Sequence, residues 1–115
     1  MTCESLESLI ERYRNAALLH GHAKTARTAN KGADEIASIH AELRERGSAA
    51  LQQLLPLLKD EDSNVRCWAA AHALMFAPQE AAIVLEDLAA GPFGMIRLSA
   101  STTLREWRAG RLRFP

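Results

Sequence analysis

Apolar residues recur every three or four positions along most of the chain and never alternate with period two over a useful length. That pattern predicts helices and no strands. Residues 2 to about 22 put Leu6, Leu9, Ile10, Tyr13, Ala17 and His20 on one face, with Glu7, Glu11, Arg12 and Arg14 elsewhere on the circumference. Thr2 is the expected N-cap, Glu4 suits the positive end of the helix dipole, and Gly21 is the expected stop. A second helix is predicted over 24–46, with Ala26, Ala29, Ala33, Ile36, Ile39, His40 and Leu43 facing inward. Gly32 interrupts it, at ~1 kcal/mol relative to alanine. Arg44 and Arg46 followed by Gly47 form a clear stop signal.

Beyond Gly47 the helices shorten. Ser48 is expected to cap a helix over 49–59 that packs Ala50, Leu51, Leu54, Leu55 and Leu58 inward. Pro56 lies inside it and must bend or shorten it, because proline lacks the N–H and clashes with the preceding turn. Residues 60–64 read as a polar turn, after which Asp62 or Ser63 caps a helix to about 77, stopped by Pro78. Another helix is expected over 79–90, ended by Gly91 and Pro92. Phe93 and Gly94 lead into a last helix to about 108, broken by Gly110.

Composition agrees with the periodicity. Alanine and leucine supply 37 of the 115 residues, whereas valine and isoleucine supply seven. The former favour helices and the latter strands, so an all-α chain is expected. The length fits a single domain spanning 1–115, with no space for a catalytic domain beside a binding domain. Fourteen basic and fourteen acidic residues give a formal charge of zero, which argues against a strongly basic nucleic-acid binder. No apolar run approaches the ~20 residues that span a bilayer. The first seven residues lack the layout of a secretory signal, so a cytoplasmic location with Cys3 and Cys67 as free thiols is expected.

A shift of 31 positions superimposes the later helices without a gap. Ala50 falls on Ala81, Leu54 on Leu85, Leu57 on Leu88, Arg66 on Arg97 and Ala69 on Ala100. A helical-pair period of this kind is the signature of a solenoid. The stretch from Leu54 to Leu74 has a leucine-rich helix, an aspartate-bearing turn, then Val-Arg followed by alanines, and it resembles a short HEAT-type repeat. Residues 81–108 resemble the same motif in register, departing at the Gly91 to Gly94 turn and at Thr102 and Thr103. In layout the whole chain is similar to a small bacterial HEAT-like family known as domain of unknown function number 2019. The resemblance implies an α-α superhelix of about six helices in three antiparallel hairpins. Residues 2–46 would form an N-terminal capping hairpin, 48–77 and 79–108 two repeats, and 109–115 a tail. Trp107, Leu112 and Phe114 would cover the open end.

Several side chains are candidates for chemistry. His20 and His22 are the nearest approach to a metal pair, but two positions apart on a helix they face away from each other, and no matching ligand spacing exists. Solvated helix end is the better reading, and neither a metal nor a cofactor is expected. No nucleophile elbow, phosphate loop or metalloprotease motif appears, so no enzyme is expected. Arg66 and Arg97 follow the turns of the two repeats at equivalent positions. The HEAT resemblance implies that such an arginine pairs with a turn aspartate, here Asp60 or Asp62 for Arg66. The Gly91 to Met95 turn offers Arg97 no such carboxylate, which leaves it for a partner.

Trp68, flanked by Val65 and His72 on the same stripe, reads either as packing inside the stack or as part of a concave surface. The expected function is therefore a non-catalytic protein–protein interaction module, an adaptor or immunity-type binder of one dedicated partner, monomeric or weakly dimeric. Its expected face comprises Arg66, Trp68, His72, Arg97 and Ser101. The alternative is nucleic-acid or phosphate binding by Arg97, Arg105, Arg108, Arg111 and Arg113, which face one acid, Glu106, in the same stretch.

Overall fold

Helix α1 (Leu6–Gly21) begins where the Ser5 hydroxyl accepts a hydrogen bond from the Ser8 N–H at 3.1 Å. The computed structural model describes residues 4–114, so Thr2, the expected cap, and Cys3 lie outside the described residues. Ser5 fills the capping role by satisfying a first-turn donor. Helix α2 (Ala26–Arg46) starts at Thr25, whose side chain accepts from the Thr28 N–H. Gly47 ends it as expected, with φ of 104° and ψ near 180°, a conformation open to glycine and strained for other residues. By internal contacts the chain divides into two units between Leu54 and Leu55.

In the first unit α1 and α2 form an antiparallel hairpin, and α2 also packs on the short helix α3 (Ser48–Leu51). The buried set is Leu9, Tyr13, Ala16 and Ala17 from α1 with Ile36, Ile39, His40 and Leu43 from α2. The periodicity anticipates every one of these except Ala16. Gly32 is buried as well, and its place explains its presence. A Cβ there would stand 2.8 Å from the Ala16 carbonyl oxygen and 2.9 Å from the His20 nitrogen. The missing side chain lets the two backbones approach. Along the hairpin's outer edge Arg12 ties the helices together, donating to the Glu35 carboxylate on α2 and to Glu4.

Where one α-helix is expected over 49–59, the backbone is α-helical only through Leu51 and continues as a 3₁₀ helix over Gln52–Lys59. Pro56 accounts for the change: an α-turn would press its ring onto the Gln52 carbonyl. Ser48 is the first helical residue and makes no side-chain cap; Gly47 stands at the N-cap.

The second unit comprises the rest of that 3₁₀ turn, α4 (Ser63–Ala73), α5 (Pro78–Ala89) and α6 (Met95–Arg108). Asp62 caps α4, accepting from the Asn64 N–H at 2.8 Å and the Val65 N–H at 3.3 Å. The helix ends at Ala73, four residues short of the expected stop, in a tightened turn where Phe76 donates to the Ala73 carbonyl. Pro78 occupies the first position of α5, where its missing N–H costs no helical bond. Helix α5 packs against both α4 and α6, and α4 also meets α6. Val65, Ala69, Ala70 and Ala73 of α4, Ala81 and Leu85 of α5, and Ala100 and Leu104 of α6 are buried. Alanine at these contacts leaves little side chain between the helices, the physical use of the alanine excess. Among the described residues there is no strand.

Candidate interaction surface

Helix α6 buries Ala100 and Leu104, while its Arg97, Leu98, Ser101, Arg105 and Arg108 are exposed. Ser101 stands four residues from both Arg97 and Arg105, so these three are neighbours along the helix surface, with Leu98 and Arg108 flanking them. Ser101, Arg105 and Arg108 line a shallow groove whose other walls are Ala89 of α5, Leu104 and Ala109. At the head of the helix lies an apolar cluster. Phe93 is 82% exposed, Met95 76% and Leu98 49%. The Arg97 guanidinium carbon sits 6.0 Å from the centre of the Phe93 ring, at the outer edge of cation–π range.

The five residues expected to share one face behave in two ways. Arg97 and Ser101 are exposed on α6. Those on α4 turn to internal contacts. Arg66 Nη1 donates to the main-chain carbonyl of Asp60 at 2.7 Å, clasping the turn that precedes its own helix. The arginine holds the turn, but through the backbone of Asp60 and not through the Asp60 or Asp62 carboxylate with which it was expected to pair. Trp68 is half-buried, its ring tilted against His72 at 6.1 Å. His72 is only 3% exposed and cannot serve as an open contact residue. The tail adds to its cover: the Phe114 ring stands edge-on to the His72 ring at 4.7 Å. One aromatic residue of the tail therefore covers part of α4, while Trp107 and Leu112 remain half-exposed.

No family model, curated protein or solved structure matches the chain. The surface must be judged on its own chemistry.

The arginine-rich end is partly neutralised from within. Arg108 Nη2 reaches Glu86 of α5 at 3.1 Å, and Arg111 binds Glu106 at 2.7 Å. Arg113 donates to the Gly110 and Leu112 carbonyls. Among the described residues no carboxylate pairs with Arg97 or Arg105. Both stand in the exposed row of α6.

Of the two histidines read as a solvated helix end, His20 is half-buried in the last turn of α1, and His22 is the exposed C-cap, donating its N–H to the Leu18 carbonyl. Among the described residues no group of three histidine, cysteine or acidic side chains could hold a metal ion. Burial pushes the Cys67 thiol up to about 11, the reverse of what a nucleophilic cysteine needs. Among those residues, too, no helix is long and apolar enough to cross a membrane.

The sequence reading missed Phe93, Met95 and Leu98 as surface residues. A signal was available in the Gly91-Pro92-Phe93-Gly94 turn, which sets a large aromatic where turn chemistry favours small polar groups.

Proposed function

We propose that the protein is a non-catalytic protein-interaction module of short HEAT-like build, an adaptor or immunity-type binder that engages one dedicated partner in the cytoplasm. The observation that carries this reading is the exposed cluster of Phe93, Met95 and Leu98 beside Arg97. Phenylalanine, methionine and arginine are enriched in protein interfaces, and an aromatic 82% exposed gains most from being covered. Arg97 and Ser101 of the original face stay in the proposal; Arg66, Trp68 and His72 pass to a structural role.

The HEAT-like solenoid of three stacked hairpins belongs to the same proposal, as does kinship with domain of unknown function number 2019. Support comes from burial at the 31-residue period: Ala50 and Ala81, Leu54 and Leu85, Ala69 and Ala100, and Ala73 and Leu104 are buried pair by pair. The repeats part company where Pro56, opposite Asp87, makes the first helix of one repeat 3₁₀ and leaves that of the other α. Monomer or weak homodimer is the assembly that goes with this reading.

Affinity capture with Phe93→Ser/Leu98→Asp against wild type tests the function. Both side chains are exposed, so the variant should fold. One protein retained by wild type in stoichiometric amount and lost by the variant is the expected result. Identical captured sets would remove the proposed face. The nucleic-acid alternative is tested by titrating random-sequence duplex DNA at low salt, where backbone binding is strongest. Internal pairing of Arg108, Arg111 and Arg113 predicts no appreciable binding.

A further inference from the structure

The apolar cluster and the arginine row lie on the same helix, and their combination specifies a partner. Resting on the interaction reading above, we infer that the outer side of α6 docks an acidic protein segment that carries an apolar anchor. The anchor meets Phe93 and Leu98, and its carboxylates meet Arg97 and Arg105.

Charge complementarity is the argument. Arg97 and Arg105 are exposed and without a carboxylate partner among the described residues, whereas the remaining arginines of this end already bind Glu86, Glu106 or tail carbonyls. The two cations are eight residues apart, about 12 Å along the axis at 1.5 Å per residue. Ser101, itself exposed, lies between them, and a hydroxyl can donate to a carboxylate. A basic partner would meet two unneutralised like charges, and a purely apolar one would strip them of water without replacement. The groove along Ala89, Leu104 and Ala109 gives such a segment an apolar floor. An acidic extended chain spans the two arginines with carboxylates about four residues apart, and an acidic helix does so with carboxylates about eight apart.

Selection of a phage-displayed random 12-residue peptide library on the full chain tests this directly. Enriched peptides are expected to combine two or more acidic residues with an aromatic or aliphatic anchor. Arg97→Glu/Arg105→Glu should weaken such a peptide about tenfold, since two exposed ion pairs become two repulsions, and added salt should weaken wild-type binding likewise. Leu98→Asp should weaken it independently.

Neutral or basic enriched peptides, or acidic ones indifferent to the double reversal, would overturn the acidic-segment inference. If in that case Leu98→Asp still abolished binding, the interaction reading would survive without it. Failure of both variants to change peptide binding would remove the face itself. Duplex DNA bound as tightly as the peptides and released by the same reversal would transfer the surface to the nucleic-acid alternative and overturn the inference.

Discussion

Gly32 of α2 lies so close to Ala16 of α1 that a Cβ on Gly32 would stand 2.8 Å from the Ala16 carbonyl oxygen. The obstacle is backbone on both sides, because the His20 nitrogen and Cα are within 3.1 Å of the same point. Backbone cannot swing aside as the end of a long side chain can. Gly32→Ala therefore gains ~1 kcal/mol of helix propensity but must separate the hairpin, an overpacking cost of typically 1–3 kcal/mol. Net destabilisation of up to about 2 kcal/mol is expected in urea unfolding, set against a control, Asn30→Ala, at an exposed position of the same helix. Stabilisation equal to that of the control would mean that the two helices slide apart freely.

Gly32 also marks the limit of what the sequence made legible. Periodicity identified most inward residues of both long helices, because burial of one helix face is a local property of spacing, but it missed Ala16 and turned Ala26 inward, which is exposed at the start of α2. Helix propensity counts Gly32 as a defect, because the benefit resides in the opposing main chain of another helix. Pro56 announced a disturbance, yet whether a proline kinks a helix or turns it 3₁₀ depends on how neighbouring carbonyls find donors. The site divided similarly. Arg97 stood out because the turn before it offers no carboxylate, and it is exposed, as is Ser101. His72 was set on the same face by its helical stripe with Trp68 but lies against Phe114, forty-two residues further along, and no local pattern predicts where a tail returns.

Phe114 should therefore act as a cover for His72. Phe114→Ala removes an edge-on ring contact of the kind worth about 0.5–1.5 kcal/mol, and exposes an imidazole that is now 3% accessible. Loss of stability within that range is expected, together with faster modification of His72 by diethyl pyrocarbonate, read by peptide mass spectrometry. Unchanged modification would show that the tail does not shield this residue in solution.

The cap of α4 is a separate test. Asp62 accepts from two first-turn N–H groups, whereas α5 and α6 begin without any side-chain cap. Asp62→Ala should cost about 1 kcal/mol, and Asp62→Asn, which keeps an acceptor oxygen, distinctly less. Equal losses in the two variants would point to the charge of Asp62 instead of its hydrogen bonds.

Cys67 offers a reactivity test. With its thiol pushed up to about 11 by burial, against an ordinary value of 9.0, the thiolate fraction at pH 8 falls about a hundredfold. In a Cys3→Ser background, Cys67 should react with Ellman's reagent about a hundredfold more slowly in the native protein than in denaturant. A native rate close to the unfolded one would contradict the burial.

The last prediction concerns acid. His40 is 3% exposed on the inner side of α2, and burial, with a smaller contribution from the Arg44 cation, lowers it from 6.5 to about 4. The fold thus holds His40 neutral, while the unfolded chain takes up a proton as the pH falls through 6.5. Between those two values the unfolded state binds more protons, so stability declines as the pH drops, at up to about 1.4 kcal/mol per unit for one group. Across the full window the loss approaches about 3 kcal/mol, and below pH 4 this contribution changes no further. Carboxylates such as Glu4, held below its usual range by the Ser8 hydroxyl and Arg12, also weaken the fold in acid. A comparison of variants separates the two effects. His40→Gln cannot be protonated, so its urea midpoint should vary less than wild type between pH 7 and pH 5, even if its absolute stability is lower. Parallel pH profiles for the two proteins would show that His40 is already solvated or charged in the native state.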